Sequence, residues 1–219
     1  MTPIEKLIPE GVMDSPVFEQ ALIHRSKGKR NNERLEFLGD AVLNLVIADA
    51  LYHQLPDEKE GILSRLRASL VNKDSLAELG AALDLGSLVK LGPGELKSGG
   101  FRRDSILADA MEAIIGAVYE LKGYEVARHY IHDVYSQKLQ QLPDLNDLKD
   151  PKSQLQEHLQ GRGKELPVYE LVEVTGEAHD QYFKVQCLVE DLGLSSQGEG
   201  GSRKKAEQEA AARLLEQIK

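Results

Sequence analysis

The chain has 219 residues, 41% of them hydrophobic, a single cysteine and a net charge of −9, which is material for one large domain or two modest ones with a proper core. A lone Cys187 excludes an intramolecular disulfide framework and a multi-cysteine zinc site. The acidic balance excludes the overall basic character usual in nucleic-acid binders, so any such role has to rest on local clusters. The start lacks a positively charged stretch followed by an apolar one, so no signal peptide is expected. The longest apolar run, Ala41 to Leu51, is broken by Asn44 and Asp49 and is too short to cross a bilayer. No membrane association is expected, and a cytoplasmic setting fits the cysteine usage.

The first part reads as helical. Leu35, Leu38, Val42, Leu45 and Val46 keep a helical period, and Glu33 to about Leu55 becomes nearly apolar all round, which predicts a buried central helix. Asn32 stands where an N-cap belongs. Further helices are expected at about Glu60–Val71, Lys73–Leu83, Ser105–Leu121 and Tyr124–Leu142. Gly86 to Gly100, with five glycines and Pro93, reads as a loop. At Gln141–Pro151 two prolines and several acids mark a linker. Beyond it, Lys152–Gln160 reads as a helix. Val168–Thr175 and Tyr182–Val189 read as strands, the second alternating Phe183, Val185, Cys187 and Val189 with Lys184, Gln186 and Leu188. Leu194–Gln197 is a short third strand, and Lys204–Ile218 an amphipathic helix. The expected fold is therefore an all-α N-terminal domain (1–142), a linker (143–151) and an α+β domain (152–219) of order α-β-β-β-α.

Glu33, Glu36 and Asp40 fall at i, i+3 and i+7 of one helix and share a face. Glu33 and Glu36 also suit a first helical turn, where acids complement the macrodipole. Asp40 lies two turns in, where the helix is expected to become buried and an unpaired carboxylate is costly. Gly39 beside it points to close approach by another backbone or a ligand. In SILADAMEAIIGAVY, Ser105–Tyr119, Asp109 and Glu112 repeat the anomaly, with Gly116 following. Arg34 and Arg65 offer the alternative of a buried ion-pair network. Otherwise, two apolar helices packed with their acids converging would repel unless divalent cations intervened. All-oxygen ligation selects hard ions, Mg²⁺ or Mn²⁺, and such a site suits phosphodiester hydrolysis by metal-activated water.

In the C-terminal part, Ser202, Arg203, Lys204 and Lys205 open the last helix, where cations oppose the macrodipole unless an anion sits there. Gly198, Gly200 and Gly201 precede them and allow close backbone approach. Gln156, Glu157 and Gln160 lie on one side of the first helix, with donors and acceptors suited to 2′-hydroxyls. His179 occupies the loop between the long strands. Duplex RNA is read mostly by shape, through successive minor grooves and the phosphates between them. In the N-terminal part, His24, Arg25, Ser26, Lys27, Lys29 and Arg30 make a basic approach to the acidic helix, with a structural role favoured for His24.

The run NNERLEFLGDAVLNLVIADALY (Asn31–Tyr52) resembles the signature stretch of the ribonuclease III family, Leu107–Gly116 resembles its second acidic helix, and EGILSRLRASLV (Glu60–Val71) continues the likeness. GRGKELPVYELVEVTGEAHDQYFKVQC and SRKKAEQEAAARLL are similar to a double-stranded RNA-binding domain. The resemblance implies a magnesium-dependent endonuclease for double-stranded RNA, with Mn²⁺ able to substitute. It implies products with 5′-phosphates, 3′-hydroxyls and short 3′ overhangs, and processing of ribosomal RNA precursors and some messenger RNAs. It makes Glu36, Asp109 and Glu112 metal ligands together with Asp40, and makes Asp40 and Glu112 essential for catalysis. Glu33 and Glu60 take supporting acidic roles. It implies a homodimer in which Phe37 packs into a pocket of the partner. Two other readings remain: a non-catalytic duplex-RNA-binding dimer, against which the full set of acids stands, and a hydrolase of small phosphate esters, which leaves the C-terminal domain without a use.

Overall fold

A computed structural model describes residues 3–144, 150–177 and 181–218. The chain splits into two compact units, Met1–Pro143 and Asp144–Lys219. The first is helical: α1 (Pro16–Ala21), α2 (Glu33–Gln54), α3 (Glu60–Val71), α4 (Lys73–Ala82), α5 (Pro93–Lys97) and α6 (Asp104–Gln140). Caps set several of these starts. The Ser15 side chain accepts from the Phe18 amide at 3.0 Å, and Asn72 accepts from the Ser75 amide at 2.8 Å. At α2 the cap is displaced by one residue from the expected Asn32. Asn32 has helical backbone angles and makes no side-chain cap, whereas Asn31 accepts from the Glu33 amide at 3.1 Å and donates to its carboxylate at 3.0 Å.

The core is built where α2 meets α6. Leu43, Val46, Ile47 and Leu51 on α2 and Ala110, Met111, Ile114, Ile115 and Val118 on α6 are fully buried. The helix is less enclosed than its composition predicts, because Phe37, Leu45 and Tyr52 stay 80%, 56% and 67% exposed. A period-3.6 pattern that is apolar all round reports two sticky faces, and within one chain only one of them is covered.

Helix α6 breaks at Gly123, whose φ of 77° and ψ of −178° are outside the helical region. The reason is a length mismatch. Gly39 of α2 packs on Glu112 and Gly116, while Gln54, farther along α2, donates to the Leu139 carbonyl at 2.9 Å. From position 39 to 54 a helix rises about 22 Å, and from 116 to 139 about 34 Å, so a straight α6 misses one contact or the other. The two helices expected on either side of residue 123 are these two halves. The glycine-rich stretch 86–100 is not all loop, since it carries α5, started by Pro93.

The second unit has α7 (Pro151–Gln160), an antiparallel sheet of β1 (Val168–Thr175), β2 (Tyr182–Val189) and β3 (Leu194–Gly200) in that order, and α8 (Arg203–Ile218). Asp150 caps α7 by accepting from the Ser153 amide at 3.1 Å. Val185 pairs with Leu171 on one side and Gly198 on the other. Leu155, Leu159, Cys187, Val189, Ala210 and Leu214 form the core. β3 runs three residues farther than its pattern suggests, because a Cβ at Gly198 would stand 2.2 Å from the Ala210 amide nitrogen. Only glycine lets the strand pass so close to α8. Among the described residues no helix is long and apolar enough to cross a membrane.

Candidate active site and nucleic-acid interface

The acids of α2 and α6 are brought together by glycine. A Cβ at Gly39 would lie 1.8 Å from the Glu112 carbonyl oxygen, and one at Gly116 would lie 2.2 Å from the Leu35 carbonyl oxygen. The two backbones therefore touch at this crossing, as the isolated Gly39 suggests from sequence. Glu36 and Asp40 flank Gly39, one turn before it and one residue after. Glu112 and Asp109 precede Gly116 by one and two turns. All four acids stand on the stripe next to the contact.

Their electrostatics confirm mutual proximity. Glu112 is pushed up to about 8, by burial first and then by Asp40, Glu36 and Asp109. Glu36 is raised by burial, then by Asp109 and Glu33, with Arg25 pulling the other way. Asp109 is raised by burial, against the attraction of His24, Arg25 and Lys73. Asp40 itself is exposed rather than buried. It points along the outer edge of the crossing, where the Asn44 side chain donates to its carboxylate at 2.8 Å. The deepest carboxylate is Glu112, a position that spacing alone does not single out.

Of the cations near the acids, Arg25 approaches Glu33 at 3.9 Å, and Arg25 and Lys73 also attract Asp109. Three of the described acidic, histidine or cysteine side chains do not close into a ready-formed ligand cage. The donor set is all oxygen and acidic, which fits a hard divalent cation. Glu33, exposed at the start of α2, lies near enough to act on Glu36 and Asp109. Glu60 does not join this group. It begins α3, accepts from Ser64 at 2.7 Å and lines a groove between α2 and α3 with Leu45, Tyr52 and Leu63.

In the second unit Gln156, Glu157 and Gln160 are exposed along α7. Ser202 caps α8, accepting from the Lys205 amide at 3.2 Å. Arg203 is engaged with Glu207 at 2.9 Å, and Lys152 reaches the same carboxylate at 2.6 Å. Burial works to raise Glu207, but these two hydrogen bonds overcome it and hold the carboxyl below its usual range. Lys204 and Lys205 are exposed and form no ion pair among the described residues, so they are the available cations at this helix start. His179 lies outside the described residues. Gly198 and Gly200 serve packing, since a Cβ at Gly200 would meet Lys205 Cβ at 2.9 Å, while Gly201 has open space around it.

The structural role favoured for His24 agrees with its surroundings. The residue is buried, and its ring and backbone are tied to Ser26 and Lys90. The only signal was an apolar stretch, Ala21–Ile23, running directly into a histidine.

Residues 14–139 match the ribonuclease-III-like family, and residues 151–218 match the double-stranded RNA binding motif. Ribonuclease 3 of Alkalilimnicola ehrlichii is 54% identical over 202 residues, covering 92% of this chain and 89% of that protein. Ribonuclease 3 of Vibrio vulnificus is 52% identical over 220 residues, covering 99% and 98%. The solved nuclease domain of ribonuclease III from Campylobacter jejuni is 42% identical with a TM-score of 0.58, covering 65% of this chain and all of that one.

Proposed function

The chain belongs to the ribonuclease III family, and from that premise we propose that it hydrolyses phosphodiester bonds of double-stranded RNA in a reaction dependent on Mg²⁺, or on Mn²⁺ in its place. The observation that carries this reading is the Gly39–Gly116 crossing, which gathers Glu36, Asp40, Asp109 and Glu112 beside one backbone contact, where Glu112 is raised by its three neighbours. A protein that only bound RNA would have no use for that charge.

Glu36, Asp40, Asp109 and Glu112 are the residues that would hold the cation, and it would supply charge neutralisation at the phosphate and acidification of a water. Asn44 restrains Asp40 through its 2.8 Å hydrogen bond. Glu112, raised to about 8 by burial and its acidic neighbours, favours its protonated form at neutral pH, so a cation would have to compete with that proton. The products have 5′-phosphates, 3′-hydroxyls and short 3′ overhangs, and the substrates include ribosomal RNA precursors and some messenger RNAs.

Residues 1–142 form the catalytic and dimerisation domain, 143–151 the linker and 152–219 the RNA-binding domain. The match to a double-stranded RNA binding motif supports duplex contacts by Gln156, Glu157, Gln160, His179, Ser202, Arg203, Lys204 and Lys205. The uncovered face of α2 supports a homodimer. Phe37 is the most exposed large apolar side chain of the described residues, and the α2–α3 groove supplies an apolar receptor. The setting is cytoplasmic.

The test is cleavage of long duplex RNA by the purified protein, with Mg²⁺ and with EDTA, followed by analysis of the ends. Cutting that persists in EDTA, or equal cutting of single-stranded RNA, refutes the proposal.

A further inference from the structure

Arg203 opens α8 with its side chain tied to Glu207, one turn farther on. The guanidinium Nε donates to one carboxylate oxygen at 2.9 Å. The other oxygen accepts from Lys152 of α7 at 2.6 Å. Lys152 is itself held over the ring of Tyr169 on β1, 4.3 Å from the ring centroid, where a cation and an aromatic face attract. The carboxylate is therefore fixed from outside its own helix. The Glu207 side chain is 13% exposed and that of Arg203 58%, so the anchor lies inside and the arginine reaches outward.

Helix stability does not explain this pair. A cation in the first turn opposes the macrodipole, and an acid placed after its basic partner has the less favourable order. The same helix shows the favourable order in Glu209 before Arg213, joined at 2.8 Å. Nor does the pair cancel Arg203. Two cations share one carboxylate, so the triad keeps a net positive charge. Only Nε is engaged, and the two Nη groups have no partner among the described residues. That outer edge of a guanidinium is the part that grips two oxygens of a phosphate.

We propose that Glu207 is a positioning residue for duplex RNA: braced by Lys152, it holds Arg203 so that both Nη groups are set for a backbone phosphate before RNA arrives. This rests on the RNA-binding reading above. An acid beside an RNA surface repels the RNA, so Glu207 serves binding only through the arginine. What it removes is the cost of ordering a long side chain on association.

Glu207→Gln separates this role from simple bracing. The amide has one acceptor oxygen for two cations. The less exposed Lys152 keeps it, which turns the amide NH2 toward Arg203 Nε and releases the guanidinium. Binding of the full-length protein to duplex RNA is measured in EDTA at fixed salt, with Glu207→Gln placed in the wild type and in Arg203→Ala. In the wild type the change is expected to weaken binding roughly 3- to 10-fold, although it removes a negative charge. In the Arg203→Ala background it should leave affinity equal or raise it, because only repulsion is left to lose. Tighter binding in both backgrounds means that Glu207 acts by charge alone, and weaker binding in both means that it only staples α7 to α8; either overturns the proposal. Arg203→Lys decides the matter if Glu207→Gln melts early, since it alters an exposed side chain and keeps the charge. An ammonium held by Glu207 has no second edge to offer, so this variant should bind about as weakly as Arg203→Ala, and wild-type affinity would overturn the proposal. A wild-type protein that fails to bind duplex RNA refutes the RNA-binding reading and this inference with it, whereas wild-type binding with an unweakened Glu207→Gln refutes this inference alone.

Discussion

Replacing Glu112 by glutamine should stabilise the cation-free protein while nearly abolishing cleavage. The carboxyl is raised from 4.5 to about 8 by burial and by Asp40, Glu36 and Asp109. Between those two values the folded state holds a proton that the unfolded state has released, so stability falls as pH rises through this window and levels off above about 8. The full shift corresponds to about 4–5 kcal/mol. Glu112 is only partly buried, however, and water and salt screen the repulsion, which leaves about 1–2 kcal/mol. The amide keeps the shape and removes the charge. In EDTA at pH 8.5 the nuclease-domain transition of Glu112→Gln should therefore lie roughly 3–6 °C above wild type, whereas at pH 4.5 the two should coincide. Adding Mg²⁺ at pH 8.5 should raise the wild-type transition more than that of the variant. Calorimetry across pH, reading the two domains separately, checks this. A variant that melts at or below wild type at pH 8.5 refutes the argument that Glu112 is repelled by its acidic neighbours.

Gly39→Ala should destabilise the protein by about 1–3 kcal/mol and strongly reduce cleavage with every acid in place, because the new Cβ falls 1.8 Å from the Glu112 carbonyl oxygen. Gly61→Ala, with open space around it, is the control, and equal melting temperatures for the two would refute the close crossing. Phe37→Ala should shift sedimentation equilibrium toward monomer, since so exposed a side chain contributes little within one chain, and an unchanged dimer would refute its interface role. Lys204→Ala with Lys205→Ala should weaken duplex binding at every sequence and lower the salt slope by about 2, a change read by filter binding across salt. An unaltered slope would show those lysines to be merely solvated.

Much of this was legible in residue order, for identifiable reasons. α3 begins and ends where its pattern does, because Glu60 follows an extended Lys59 and Asn72 restarts the chain as the cap of α4. β2 keeps its expected ends because period-2 burial marks Val185, Cys187 and Val189. What could not be read is what depends on a second surface. The apolar face of α2 around Phe37 looked like core, since periodicity does not say whether a partner lies within the chain. Asp40 looked buried because its helix is, but its side chain is exposed and hydrogen-bonded by Asn44. Gly198 and Gly200 looked like a ligand approach, yet the close neighbour is α8 of the same domain. A glycine signals proximity without naming what is near.

At the active site the glycines and the acids form a single device. Helices packed through ordinary side chains stand about 8–10 Å apart, and carboxylates on their facing stripes would then be partly solvated and weakly coupled. With Gly39 and Gly116 at the contact, the axes close up, and Glu112 is drawn under the opposing helix next to Asp40 and Glu36. The separation is set by backbone against backbone, which side-chain rearrangement cannot relax. Repulsion is therefore built in before any cation arrives, and the apolar packing of Ile114, Ile115, Leu43 and Ile47 around it supplies the stability that offsets it. A cation bound at such a site would relieve repulsion already present in the folded chain. Lengthening the gap by one methyl group should accordingly weaken the cation more than it weakens the RNA.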